Sequence, residues 1–286
     1  MTESFVQYDL AENEFAAAVQ ENLFALFRVM AEALPGSEIV ETDKISYHLT
    51  TPTNPMFKGV WRSHLSGDEA DTIIAETIAW FKARQAPFFF WWTGPDSAPD
   101  NLADRLLAHG LIDLAEDTSL PELQGAPCMV ADLDQLDEGL LHQTPPGFTI
   151  EEVRDEVALQ AFKQVLIEGY DIPELMADGW VQASTQVGIG QTPWKLYLGR
   201  LDGTPVASSI ILNGAGVSGL YGIATTPAAR RQGIGAAITV KPLLDARANG
   251  FRYGVLWSTQ MGMPLYQRLG FRLTNGRINR YLWRRG

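Results

Sequence analysis

The segment that most constrains this chain is Tyr221-Gly222-Ile223-Ala224-Thr225-Thr226-Pro227-Ala228-Ala229-Arg230-Arg231-Gln232-Gly233-Ile234-Gly235-Ala236-Ala237, a strand running into a glycine-rich turn that opens a helix. Glycine lets the backbone turn tightly and approach a ligand, so N–H groups from Arg231 to Ala236 can converge on one pyrophosphate at the positive end of the helix dipole. Each charge-assisted N–H bond is worth roughly 1.5–3 kcal/mol and the dipole about 0.3–1, enough together to hold a phosphate without a dedicated lysine. The loop is neither G-x-x-x-x-G-K-[ST] nor G-x-G-x-x-G, which excludes a P-loop and a Rossmann dinucleotide site. A plain strand-to-helix turn is the competing reading of the two glycines.

A second motif, Leu265-Tyr266-Gln267-Arg268-Leu269-Gly270-Phe271, follows about thirty residues later. The order Pro227, Arg230-x-x-Gly233-x-Gly235, then this motif resembles the GNAT superfamily of acyl-CoA-dependent N-acyltransferases over about residues 149–286. The resemblance implies an α/β (α+β) fold with a mixed, mostly antiparallel twisted sheet flanked by helices. It also implies acetyl-CoA as acyl donor, with no metal. The strand Val217–Ala224 should splay from Tyr253–Ser258, and pantetheine would pair in the gap with backbone groups of Ile223, Ala224 and Thr225. Arg230, Arg231, Gln232, Gly233, Ile234, Gly235 and Ala236 would hold the pyrophosphate, with Thr259 where the family often has an asparagine beside the cofactor. Tyr266 matches the family's general acid, and Tyr221 stands where many relatives place a carboxylate.

At 286 residues the chain is long enough for two domains, and its 46% hydrophobic and 20% charged residues describe a globular protein. The single Cys128 excludes an internal disulfide framework, and His64, His109 and His142 lack metal-ligand spacing. No apolar run reaches eighteen residues and the start Met1-Thr2-Glu3-Ser4 is not that of a signal peptide, so a cytoplasmic protein without a membrane partner is expected. Residues 1–146 carry 24 acidic and 7 basic side chains, and 147–286 carry 10 and 15. The basic half suits a polyanionic cofactor, whereas the acidic half would repel nucleic acid and attract cations, or is only a solvated surface.

Periodicity places a helix over Glu12–Leu34, strands over Glu38–Leu49 and Phe57–His64, a helix from Ser66 to Arg84, a buried strand at Phe88–Trp92, a short helix Asn101–His109 and a strand Met129–Leu133. This repeats the order of the second half. Residues 1–142 are therefore expected to be a degenerate GNAT-like domain, 143–148 a linker around Pro145-Pro146, and 149–286 the acetyltransferase domain. Asp68, Glu69 and Asp71 crowd the helix start where the first half would need bare N–H groups, so no cofactor site is expected there. In the second half the pattern predicts a strand Phe148–Val153, helices Asp155–Glu168 and Asp178–Thr185, and strands Lys195–Arg200 and Pro205–Asn213 joined at Asp202-Gly203. The helix Ile234–Asn249 should kink at Pro242, and the tail Arg280–Arg285 should be a final strand.

For acyl transfer an amine attacks the thioester and a thiolate leaves. A phenol of pKa about 10 is protonated at neutral pH and can donate to a thiolate whose conjugate pKa is near 8.5, which suits Tyr266 unless it only packs its helix. No Asp or Glu lies between Val206 and Lys241, and Glu168 and Asp171, at the turn between the first two helices of this half, are either candidate carboxylates for the substrate or a solvated helix end. Freeing a lysine-like amine at pH 7 costs about 4.6 kcal/mol, against about 1.4 for an α-amine, so a missing base favours a low-pKa amine or a water chain. Trp180, Trp194, Tyr197 and Trp257 are either core or acceptor-pocket residues. The expected activity is acetyl transfer from acetyl-CoA to a primary amine of a small molecule or peptide, by direct attack in a ternary complex of a monomer or homodimer. A non-catalytic acyl-CoA-binding module and a longer-chain acyltransferase are the alternatives.

Overall fold

The computed structural model describes residues 10–50, 58–115 and 126–285. The expected strand Phe57–His64 is seen as Lys58–Ser63, with Phe57 outside the described residues, as is the N-terminal stretch read for a signal segment. The helices are α1 (Phe15–Ala33), α2 (Ala70–Ala83), α3 (Leu102–Ala108), α4 (Glu156–Tyr170), α5 (Glu174–Val187), α6 (Ile234–Ala248) and α7 (Met263–Arg268). The first half supplies β1 (Glu38–Glu41), β2 (Ile45–Leu49), β3 (Lys58–Ser63), β4 (Phe88–Thr93), β5 (Ile112–Asp113) and β6 (Ala126–Asp132). The second half supplies β7 (Phe148–Glu152), β8 (Trp194–Leu201), β9 (Thr204–Gly214), β10 (Val217–Thr225), β11 (Tyr253–Trp257) and β12 (Arg272–Arg284). Among the described residues, no helix is long and apolar enough to cross a membrane.

All of these strands join one mixed, mostly antiparallel sheet in the order β1-β2-β3-β4-β12-β6-β11-β10-β9-β8-β7, with β5 also on β12. The two halves exchange strands. β6, from the first half, lies between β11 and β12, with Tyr253 opposite Asp132 and Trp257 opposite Cys128. β12 pairs with β6 from Arg272 to Ile278 and then crosses to β4, setting Asn279–Arg284 against Thr93–Phe88. The sequence tail expected as a strand is thus the far end of a 13-residue strand that serves both lobes.

α1 crosses the same boundary. Its apolar stripe, including Phe15, Val19 and Leu23, packs into one core with Leu159 and Phe162 of α4 and with Ile210, Leu212 and Val217 of the second-half sheet. The opposite face of that sheet is covered by α6, and a separate core joins α2 and α3 to β3 and β4. Asn22 fixes α1 in place. It is fully buried, its Nδ2 donates to the carbonyls of Leu212 (3.1 Å) and Gly214 (2.9 Å), and its Oδ1 accepts from the Tyr221 hydroxyl (2.6 Å). Gly219 is required beneath it, since a Cβ there would lie 1.8 Å from Asn22 Oδ1.

α6 runs unbroken through Pro242. Proline deprives the Ile238 carbonyl of its helical donor, and the buried Ser209 hydroxyl supplies one instead at 2.8 Å. The sequence reading has α5 beginning at Asp178, whereas it starts at Glu174 behind Pro173, which cannot donate and suits a helix entry. In the first half, the acids at the start of α2 are engaged in place: Glu69 with Lys44 and the Ser66 N–H, Asp71 with Arg105 and His109.

Candidate active site

β10 and β11 are parallel neighbours at only two positions, Ser218 with Gly254 and Gly219 with Val255, and part beyond them. The cause is on the other side of β10. Its register against β9 shifts between Tyr221 and Ala224, where Gly222 takes φ +54°, so the strand bends away. Thr226 donates to the Val206 carbonyl of β9. By the alternation of strand hydrogen bonding, the backbone groups of Ile223 and Thr225 face the gap while Ala224 faces β9.

The glycine-rich loop follows the bent strand. Arg231 and Gly233 both adopt positive φ, +61° and +80°, and α6 begins at Ile234 without a side-chain cap. Among the described residues, no carbonyl takes the N–H of Arg231, Gln232, Gly233, Ile234 or Gly235, while the Ala236 N–H bonds to the Gly233 carbonyl within the turn. Such a run of unbonded N–H groups at a helix start fits an anionic group. Gly233 is irreplaceable on two counts, since a Cβ would also fall 1.7 Å from the Gln143 carbonyl oxygen. At Gly235 a Cβ would meet only Leu265 and Thr225 at 3.5 and 3.7 Å, ordinary contacts.

Tyr266, in the single-turn-and-a-half α7, packs edge-on against Phe271 with ring centroids 6.0 Å apart. Its hydroxyl has no hydrogen-bond partner among the described residues, and Leu265 beside it borders Gly235. Burial, and secondarily the nearby Tyr170, push the Tyr266 pKa above the ordinary phenol range. It is therefore a proton donor at any physiological pH. Thr259 caps α7, accepting the Gly262 N–H on both its carbonyl (3.2 Å) and its hydroxyl (3.3 Å).

The fold that carries this splayed strand pair, uncapped helix start and tyrosine helix is similar to that of solved proteins. A GCN5-related N-acetyltransferase from Kribbella flavida superposes with a TM-score of 0.70 at 16% identity, over 94% of this chain and 96% of that one. A tandem GNAT protein from the clavulanic acid biosynthesis pathway gives 0.63 at 13% identity, over 97% of each chain. A GCN5-related N-acetyltransferase from Sphaerobacter thermophilus gives 0.59 at 16% identity, over 96% and 92%. The chain has the GNAT fold. No protein-family model matches its sequence, and neither does any curated protein.

Within this GNAT fold, other sequence candidates fall in different places. Arg230 directs Nε to the Thr225 carbonyl (3.1 Å) and Nη2 to the Gly169 carbonyl (2.9 Å), and Gln232 reaches back to the Ala228 carbonyl, while Arg231 is exposed. Tyr221 turns its hydroxyl to Asn22 under α1, where burial holds its proton firmly. Trp180 and Trp194 pack edge-on in the core, and Tyr197 donates to Asp245 on the α6 face. Only Trp257 of the four aromatic candidates stands at the end of a splayed strand, beside Trp92 (6.1 Å) and beneath the Arg280 guanidinium (5.5 Å). Its buried indole N–H has no partner among the described residues. Cys128, on β6 opposite Trp257, is buried and its thiol is pushed up to about 12. Among the described residues, no three His, Cys, Asp or Glu side chains are grouped to hold a metal.

The sequence reading missed Tyr170. This last residue of α4 donates its hydroxyl to the Ile223 carbonyl at 3.0 Å, at the edge of the gap. No motif marks it, and only the alternation of the bent strand could have shown that the Ile223 carbonyl would be open to a donor. A cavity of about 570 Å³ between the start of α1 and the bulge of β12 is lined by none of the loop or α7 residues.

Proposed function

We propose that the chain is an acyl-CoA-dependent N-acetyltransferase that transfers an acetyl group from acetyl-CoA to a primary amine by direct attack in a ternary complex. The observation that carries this reading is the unbonded run of N–H groups from Arg231 to Gly235 lying next to the splay between β10 and β11. In this reading those groups, with Ala236 completing the turn, receive the pyrophosphate, and Arg230 and Gln232 stiffen the loop by bonding its carbonyls. Ile223 and Thr225 present the strand edge to the pantetheine arm, whereas Ala224, expected to join them, turns its backbone groups to β9, and Thr259 holds α7 beside the gap. Bound acetyl-CoA would supply an activated thioester.

The chemistry then falls to few side chains. The amine nitrogen forms the N–C bond as the C–S bond breaks. Tyr266 gives its proton to the departing sulfur and regains one from the proton lost by nitrogen, so the step balances without a co-reactant. Its raised pKa keeps the phenol protonated at neutral pH, so it stands as a hydrogen-bond and proton donor to the sulfur as charge develops there. Tyr221 takes no part, because its hydroxyl is committed to Asn22. A domain division at residues 143–148 remains part of this proposal. In it the first half would shape the acceptor side through α1, β6 and the Trp92 end of β4, and would carry no second cofactor site. The test is thiol release from acetyl-CoA against a panel of amines. Loss of turnover in Tyr266→Phe with acetyl-CoA binding intact supports the reading, and full turnover in that variant removes Tyr266 as the acid.

A further inference from the structure

The turn closing α4 is fastened to the proposed cofactor strand at successive residues. Gly169 packs so close to β10 that a Cβ there would fall 2.7 Å from Ala224 Cβ, and its carbonyl is held by Arg230, which also holds the Thr225 carbonyl. The next residue, Tyr170, donates its hydroxyl to the Ile223 carbonyl although the residue is 48% exposed. The phenol oxygen is thereby fixed at the mouth of the gap, and it accepts no hydrogen bond among the described residues. A hydroxyl that donates to a carbonyl becomes a better acceptor itself. Tyr170 is near enough to Tyr266 to add to the rise in that residue's pKa.

The charged groups around this point are Glu168 and Asp171 on the same turn and Arg230 across from it. Glu168 accepts from Gln164 on the exposed face, Asp171 is exposed in a left-handed backbone conformation, and Arg230 is bonded to carbonyls. The charge fixed by hydrogen bonds beside this point is the Arg230 guanidinium, which holds the carbonyl of Gly169, next to Tyr170, and that of Thr225, two residues beyond Ile223. An ammonium ion entering here would lose hydration and meet the fixed Arg230 cation, whereas an uncharged amine would lose little.

We propose that Tyr170 is the acceptor-side residue of the site, its hydroxyl oxygen receiving an N–H of a primary amine that arrives uncharged, so that the substrates are weakly basic amines of the α-amino type rather than lysine-like ones. This deepens the acetyl-transfer reading and rests on it. The selectivity follows from the amine's own ionisation. With pKa values of about 8.0 and 10.4, the uncharged fractions at pH 7 differ by about 250-fold.

The experiment compares glycinamide with propylamine as acceptors, using the full chain, with thiol release as readout and acetyl-CoA affinity measured separately by calorimetry. At pH 7 the kcat/KM ratio should be on the order of 250 in favour of glycinamide, and it should shrink as pH approaches 10. Tyr170→Phe keeps the ring and should raise KM for glycinamide at least tenfold, with the acetyl-CoA Kd unchanged and the protein still unfolding cooperatively after the loss of one hydrogen bond. Equal kcat/KM for the two amines at pH 7, an unchanged KM in Tyr170→Phe, or an acidic limb lost in Glu168→Gln overturns the inference while leaving acetyl transfer standing. Absence of acetyl-CoA binding, or of thiol release with either amine, overturns both.

Discussion

Replacing Asn22 with alanine tests whether the first-half helix is an integral part of the second-half sheet. The fully buried Asn22 side chain donates to two carbonyls at 3.1 and 2.9 Å and accepts from Tyr221 at 2.6 Å. A net value of about 1 kcal/mol per bond gives about 3 kcal/mol, and leaving the partly buried Tyr221 hydroxyl without its acceptor raises this to about 3–5. Tyr221→Phe removes one bond and strands only the Asn22 oxygen, so about 1–2 kcal/mol is expected. Urea titrations followed by tryptophan fluorescence and by far-UV circular dichroism would measure both, and the two probes should unfold together because β12 and α1 tie the lobes. Tyr221→Phe should also retain acetyl transfer to within about twofold, since its hydroxyl faces Asn22 rather than the gap. A loss under 1 kcal/mol for Asn22→Ala, or a collapse of turnover in Tyr221→Phe, would refute this reasoning.

Three further outcomes are expected. Ser209→Ala should cost about 1–3 kcal/mol by orphaning the Ile238 carbonyl, but under 1 in a Pro242→Ala background, where a backbone N–H returns to that carbonyl; a double-mutant cycle by urea unfolding checks the coupling. Gly235→Ala should leave both folding and acetyl-CoA affinity nearly unchanged, whereas Gly233→Ala should lower the thermal midpoint measurably, because the left-handed backbone and the Gln143 carbonyl both exclude a Cβ. Burial raises the pKa of Tyr170, Tyr197, Tyr221 and Tyr266, so the unfolded chain releases protons near pH 10 that the folded chain still holds. This contribution to stability is full below pH 10 and is lost as pH rises above it, so unfolding and tyrosinate absorbance should appear together on alkaline titration.

The loop and its helix were legible because their chemistry is local. Gly233 needs a left-handed backbone, and the pattern around it states a turn before any tertiary contact exists. The hairpin at Asp202-Gly203 is equally local, with φ of +49° and +80° at its two residues. The strand exchange was not legible. Ala126–Asp132 has the composition of a buried strand whichever neighbours it takes, and nothing in it specifies β11 and β12 over a first-half partner. α1 shows the apolar spacing of any packed helix, and its buried polar residues Gln20 and Asn22 do not by themselves name the partners they meet. At the site, Tyr266 came with a motif. Tyr170 owes its place to the bend in β10 and to Gly169, which lets the turn close on the strand.

The measurement that bears most directly on the central claim is a calorimetric titration of acetyl-CoA into the wild-type chain and into Gly235→Asp. The added carboxylate would stand beside the unbonded N–H groups that would receive a phosphate, and like charges about 5 Å apart at an effective dielectric constant near 20 repel by about 3 kcal/mol. One site per chain, weakened more than a hundredfold in Gly235→Asp with an unchanged unfolding midpoint, is the expected result. No binding to the wild type, or equal binding to both proteins, would contradict a cofactor site at Arg231–Ala236.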